Sequence, residues 1–192
     1  MNIPGENALN IMSSNEYLTR VNLMDAANPH TDTPINLGKK VVVVGGGNTA
    51  MDSCRTAKRL GAEVTLVYRR SEAEMPARLE EVKHAKEEGI NFMTLHNPKE
   101  YEADEKGAVK AVVLDVMQLG EPDASGRRRP EATGETITLE CDQVIVAVGV
   151  SPNPLVPKSI EGLELGRKNT IAVNDQMPVS YTHLTLPTSD LV

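Results

Sequence analysis

The chain has 192 residues, a formal net charge of −7 and 40% hydrophobic residues, with two cysteines, one Phe and no Trp. That length suits one domain, or one and a fragment, and is enough to bury a core; the acidic balance argues against a nucleic-acid or anionic-membrane binder. No apolar run approaches a membrane span, no secretion signal opens the chain, and Cys54 and Cys141 form no CxxC, which argues against a disulfide scaffold, a thiolate metal or cluster site and a dithiol redox centre, and points to a reducing cytoplasm.

Residues 1–38 read as a loop-rich approach. Pro4-Gly5 is turn chemistry, Ser13 or Ser14 caps a short helix through Tyr17-Leu18, and Asn28-Pro29 and Thr33-Pro34 return the chain to loop. Lys39–Val44 ends in four consecutive valines, the pattern of a parallel strand buried on both faces. Gly45-Gly46-Gly47 follows at once, and a helical pattern runs from Asn48 to Leu60, with Lys58 and Arg59 in its last turn and Gly61 as its stop. Val64–Tyr68 is the next strand, closing a βαβ unit of roughly 30 residues. Arg69–Ala77 is a charged loop. A helix from about Pro76 to Glu88 follows, with Leu79, Val82 and Ala85 on its inner face, and then a strand over Ile90–Leu95. From 96 to 140 the pattern alternates in part and predicts an antiparallel excursion of two or three strands, after which Gln143–Val148 returns as a buried strand ending at Gly149. The predicted fold is α/β: a Rossmann-like, three-layer dinucleotide-binding domain with a parallel central sheet and an inserted antiparallel β excursion.

Gly45-Gly46-Gly47-Asn48-Thr49-Ala50 is a GxGxxA string in the strand–turn–helix–strand context that the dinucleotide fingerprint requires. Gly45 permits the tight turn, Gly47 lets the backbone approach a pyrophosphate, and Ala50 lets helix and strand pack closely. The helix N-terminus offers free N–H groups and the positive end of its dipole, and Asn48 and Thr49 add side-chain donors. The bland alternative is a glycine-rich turn without a ligand. An NAD site wants an acid at the end of the second strand, for the ribose 2′-hydroxyl. Here Arg69 and Arg70 stand there instead, and paired guanidiniums favour the 2′-phosphate of NADP(H). The alternative is two surface arginines paired with Glu72 and Glu74.

Other candidates are weaker. His84 sits on a charged helix with no second ligand but carboxylates and reads as a solvated histidine. Cys54 and Cys141 read as small buried residues. Arg127-Arg128-Arg129 reads as a solvated turn among Glu121, Asp123 and Glu131, and Asp52 as a residue favoured by the helix dipole. No catalytic or metal constellation stands out, which fits a domain whose chemistry belongs to the cofactor.

These residues carry a resemblance. GGGNTAMD, RLGAEVTLVYRRSEAEMPAR and EEVKHAKEEGI, with MNIPGEN at 1–7, NEYLTRVNLM at 15–24 and VIVAVGVSPNP at 144–154, resemble the small (β) subunit of NADPH-dependent glutamate synthase and related ferredoxin:NADP oxidoreductase subunits, over about residues 1–177. The resemblance implies an NADPH domain inserted in an FAD domain, behind a domain with iron–sulfur clusters, with hydride passing from NADPH to FAD and electrons leaving through the clusters to a partner such as the glutamate synthase large subunit. It implies that Gly45, Gly46, Gly47, Asn48, Thr49 and Ala50 form the pyrophosphate turn, that Arg69 and Arg70 hold the 2′-phosphate, that Gly149 closes the last strand against the cofactor, and that Pro4-Gly5 and Pro152-Asn153-Pro154 are hinges to the FAD domain.

The FAD fingerprint and cluster cysteines of that family are not in this chain. Residues 1–37 are therefore expected to be a linker from a neighbouring FAD domain, 38–177 the NADPH-binding domain, and 178–192, which resembles translated adapter sequence at the end of a gene fragment, a non-native or disordered tail that packs poorly. The expected function is that of an NADPH-binding fragment of a flavin-dependent oxidoreductase, inactive alone. The alternatives are a stand-alone NADP(H)-binding module without turnover and a fragment of a ferredoxin:NADP oxidoreductase subunit.

Overall fold

The computed structural model describes residues 1–172 apart from 29, 123–125, 127, 150–152, 161 and 167–169. The expectation of a poorly packed tail at 178–192 lies outside the described residues, as does much of the loop after Gly149. The chain divides into two compact units, Met1–Val148 and Gly149–Val192.

The first unit is built on five parallel strands. They are β1 (Ile11–Ser13), β2 (Lys40–Val44), β3 (Glu63–Tyr68), β4 (Asn91–Thr94) and β8 (Gln143–Val146), in the order β1-β8-β2-β3-β4. Helices α1 (Ser14–Leu18), α2 (Asn48–Arg59) and α3 (Leu79–Glu87) accompany them, with one π-helical stretch, Thr19–Leu23, after α1. Between β4 and β8 the chain makes a separate antiparallel sheet of three strands, β5 (His96–Ala103), β6 (Val109–Pro122) and β7 (Arg128–Glu140), in sequential order. This is the three-layer α/β fold with an antiparallel excursion that the sequence predicts.

The valine run explains the layering. Side chains alternate across a strand, so Val41 and Val43 join Val64, Leu66 and Ile145 against Ala50, Met51, Cys54 and Ala57 of α2 and Val82 and Ala85 of α3. Val42 and Val44 join Val67 and Val144 on the opposite face, against Tyr101, Val109, Val112 and Leu114 of the antiparallel sheet. All four valines are buried, each contributing about 1.5–3 kcal/mol. The antiparallel sheet thus covers the face that a second helix layer covers in a doubly wound fold.

Two local expectations differ. The approach segment is not only loop. Ser13 caps α1 by accepting from the Glu16 amide at 3.2 Å, as expected, but the residues before it form β1, parallel to β8, and Tyr17 is buried in the main core. Pro4 and Gly5 lie on β5: the Pro4 carbonyl accepts from the Tyr101 amide at 3.0 Å, and a Cβ on Gly5 would collide with the Tyr101 carbonyl. The helix expected from Pro76 begins at Leu79, because Arg78 is an extended N-cap at φ −63° and ψ 141°, and the amides of Ala77 and Arg78 bond to Gly46 and Asn48. Leu79, expected on the inner face, is 86% exposed as the first residue of that helix, whereas Val82 and Ala85 are buried.

The second unit holds a short helix α4 (Leu155–Ser159), whose Leu155 amide donates to the Asn153 side chain at 3.0 Å, and a bridge between Leu165 and Ile171.

Candidate functional site

The glycine-rich turn joins β2 to α2. Gly45 has φ +143°, and its amide donates to the Val67 carbonyl at 3.0 Å. A Cβ there would lie 2.4 Å from the Ala147 carbonyl oxygen, so both backbone angle and space demand glycine. A Cβ on Gly46 would lie 2.7 Å from two carbons of the Tyr68 ring. Gly47 differs. It is the extended N-cap of α2, at φ −92° and ψ 176°, and a Cβ there would meet nothing within 4 Å. Among the described residues no side chain caps α2, and the first N–H groups of a helix have no intrahelical acceptor. Asn48 and Thr49, the first two helical residues, are exposed, while Ala50 is fully buried against the sheet. At Gly47, Asn48 and Thr49 the turn therefore presents, among the described residues, a bare backbone, open amides and the positive end of a helix dipole to open space, which fits a pyrophosphate.

The two arginines leave β3 differently. Arg69 is exposed, whereas Arg70 is only 8% exposed, and its Nε has no hydrogen-bond partner among the described residues. A buried guanidinium nitrogen left without an acceptor is costly, which marks Arg70 as a candidate for an anion. The Arg70 backbone is fixed by Leu95, a non-glycine residue at φ +57°, whose amide donates to the Arg70 carbonyl at 3.0 Å and whose carbonyl accepts from Met117 at 2.8 Å. Such a conformation persists only where its surroundings hold it.

The segment after the arginines is laced over the glycine turn. Ser71 and Glu74 form a capping box around the 3₁₀ turn Glu72–Glu74, with the Ser71 amide and hydroxyl both donating to Glu74 Oε2, at 3.2 and 2.9 Å. The Tyr68 hydroxyl donates to the Glu74 carbonyl at 2.9 Å. The Ala77 amide donates to the Gly46 carbonyl at 3.1 Å, and the Arg78 amide to Asn48 Oδ1 at 2.9 Å. The Asn48 carbonyl oxygen is thus engaged by this strap.

The acids do not pair with the arginines. Glu72 pairs with Lys86 of α3 at 2.6 Å, and Glu74 Oε1 with Arg128 Nε of β7 at 3.0 Å. Burial opposes ionisation of Glu74, but the bonds from Ser71 and Arg128 outweigh it and hold the carboxyl below the usual range. Among the described residues neither Arg69 nor Arg70 makes an ion pair, and Arg78, exposed at the start of α3, makes none either.

The remaining candidates are placed as follows. Gly149 is exposed at φ +115°, three residues beyond β8. His84 is exposed on α3, and Asp52 is exposed on α2. Cys54 and Cys141 are free and buried, and burial pushes the Cys54 thiol up and that of Cys141 to about 12. Arg128, read as part of a solvated turn, instead opens β7 and binds Glu74. Among the described residues no group of three His, Cys, Asp or Glu is placed to hold a metal ion, and no helix is long and apolar enough to cross a membrane. Sequence reading missed Leu95 and Lys86, and it gave Arg128 to a solvated turn. The Ser71–Glu74 spacing is itself a readable capping-box signal, but the partners that fasten it come from other elements.

A parallel sheet whose glycine turn opens onto a helix N-terminus, with an arginine pair at the end of the next strand that makes no ion pair among the described residues, is the arrangement of a Rossmann-like dinucleotide-binding fold. The chain belongs to the pyridine nucleotide-disulphide oxidoreductase family, whose model matches residues 1–184. It is 50% identical over 141 residues to the NADPH-Fe(3+) oxidoreductase subunit beta of Geobacter sulfurreducens, matching 72% of this chain and 21% of that protein. It is 43% identical over 136 residues to the glutamate synthase [NADPH] small chain of Escherichia coli K12, matching 70% of this chain and 29% of that protein. The chain thus spans a fifth to under a third of these relatives. Among solved structures, Mycobacterium tuberculosis FprA in complex with NADPH superposes with a TM-score of 0.70 over 91% of this chain and 51% of that one, at 20% identity, a likeness of fold.

Proposed function

We propose that this chain is the NADPH-binding part of a flavin-dependent oxidoreductase of the glutamate synthase small-subunit type, with residues 38–177 forming that domain and residues 1–37 joining it to a neighbouring FAD domain. The observation that carries the reading is the pairing of the open Gly47 turn with an arginine pair that has no acid partner among the described residues. When bound, NADPH supplies the hydride, which the FAD of the parent enzyme accepts. The residues of this chain bind and orient. Gly45 and Gly46 shape the turn, the amides at Gly47, Asn48 and Thr49 receive the pyrophosphate, Ala50 seats the helix, and Arg69 and Arg70 take the 2′-phosphate. Gly149 closes the last strand of the domain against the cofactor. The two relatives described above share NADPH in their names and differ in the acceptor. That supports assigning the shared segment to the nucleotide and the acceptor to the rest of the parent, where iron–sulfur clusters and a large-subunit partner also belong. A cytoplasmic location goes with this reading.

The test is calorimetric titration of the purified chain with NADPH and NADH, with an absorbance scan for flavin. NADPH is expected to bind more tightly than NADH, without copurified flavin, and Arg69→Ala and Arg70→Ala are expected to weaken NADPH selectively. If neither substitution does so, the cofactor assignment is wrong. Tightly copurified FAD would overturn the assignment of FAD to the rest of the parent.

A further inference from the structure

The segment that carries Arg69 and Arg70 also carries two acids, Glu72 and Glu74, within five residues of them. Flexible acids so close in sequence are the natural partners of the arginines, and either one turned toward them would neutralise the cations and repel a phosphate. The structure has neither contact. Glu72 is drawn off by Lys86, from α3, at 2.6 Å, and Glu74 by Arg128, from β7, at 3.0 Å. Lys86 is held in turn with its ammonium 5.5 Å from the Phe92 ring centre. Arg128 acts on a carboxylate whose other oxygen already receives the Ser71 amide and hydroxyl, so both oxygens are occupied and the side chain has no reason to turn.

We propose that Lys86 and Arg128 are specificity-determining residues for the 2′-phosphate, acting as counter-ions that keep Glu72 and Glu74 away from Arg69 and Arg70. They are positioning residues and need not touch the nucleotide. The inference rests on the NADPH reading above. It also gives the antiparallel excursion a part in cofactor choice, because Arg128 is supplied by its last strand.

The two contacts differ in weight. Glu74 is 19% exposed and Glu72 is 48% exposed, and screening weakens the more exposed pair. Arg128→Ala is therefore expected to lower NADPH affinity about five- to tenfold and Lys86→Met about two- to threefold, with NADH affinity unchanged in both.

The experiment is titration of the full chain and its variants with NADPH and with NADH, with circular dichroism to confirm folding. The decisive variant is the double substitution Arg128→Ala with Glu74→Gln. Glutamine keeps the capping box but removes the charge, so NADPH affinity is expected to return to that of Glu74→Gln alone. A double variant as weak as Arg128→Ala would show that Arg128 supports the loop mechanically and would overturn the inference. So would a preference for NADPH that survives both Arg128→Ala and Lys86→Met; the latter lies on an exposed helix face and keeps the test available if Arg128→Ala misfolds. Wild-type chain that binds NADH as well as NADPH would overturn the cofactor assignment itself, and the inference with it, a result separable from the others because it needs no variant.

Discussion

The three glycines of the turn make opposite predictions, and Gly47 is the informative one. Its φ of −92° is open to any residue, and a Cβ there meets nothing within 4 Å. Gly47→Ala therefore leaves the apo fold intact. The cost of alanine at an N-cap, up to about 1 kcal/mol, is offset by about 0.4–1 kcal/mol from the lower entropy of the unfolded chain. Binding is another matter, because on the proposed assignment the methyl group projects into the space reserved for the pyrophosphate. Losing one charge-assisted hydrogen bond from the helix amides costs about 1.5–3 kcal/mol, or roughly 10–100-fold in affinity. Gly46→Ala places its methyl 2.7 Å from the Tyr68 ring and is expected to destabilise by about 1–3 kcal/mol through overpacking. Gly45→Ala, at φ +143° and 2.4 Å from the Ala147 carbonyl, is the most damaging to the fold. Urea denaturation and NADPH titration on the same three variants check both orders. Gly47→Ala that binds NADPH within a factor of two of wild type would refute the placement of the pyrophosphate, and one that unfolds early would refute the open-space reading.

Two further outcomes follow from buried and paired groups. Cys54 and Cys141 are buried with thiols pushed up, that of Cys141 to about 12, so neither reacts with a disulfide reagent at pH 8 until the chain is unfolded; fast modification of native protein would contradict their placement. Burial alone would raise the Glu88 carboxyl, but hydrogen bonds from Arg59 and Arg55 hold it below the usual range. A carboxyl depressed in the fold stabilises above its unfolded value and loses that contribution as pH falls through its folded value. Glu88→Gln is thus expected to cost about 1 kcal/mol at neutral pH and progressively less in acid. A cost that stayed constant with pH would show that packing, not charge, holds α2 to α3.

The parts legible in sequence are those encoded locally. Four valines and three glycines are contiguous and the helix stop Gly61 follows on the same helix, so β2, the turn and α2 are read within a residue or two of their observed bounds. The alternation after residue 108 is enough to predict an antiparallel sheet. What escapes is encoded elsewhere in the chain. β1 is three residues whose only strand signal is its pairing with β8. The late start of α3 goes with an extended Arg78 whose amide, like that of Ala77, is tied to the glycine turn and its helix, at Asn48 and Gly46, some thirty residues earlier in the chain. The burial of Arg70 cannot be seen beside an exposed Arg69 in the string Tyr-Arg-Arg, since the chain that meets it, such as the Leu95 amide on its carbonyl, comes from elsewhere in the sequence.

The antiparallel excursion ties these strands together. A valine strand apolar on both faces needs a cover on both sides, and helices supply only one. The excursion supplies the other through Tyr101, Val109, Val112 and Leu114. Because it packs there, its last strand starts within reach of the loop that leaves β3, and Arg128 meets Glu74. The same insertion therefore completes the core and balances the charge beside the arginine pair. A hydrophobic substitution in that sheet, such as Leu114→Ala at a fully buried position, is accordingly expected to cost about 2–5 kcal/mol of stability. The folded fraction is also expected to show a weaker preference for NADPH, since loosening β6 loosens the strand that carries Arg128. Stability lost with the preference intact would separate the two roles and leave the excursion as cover alone.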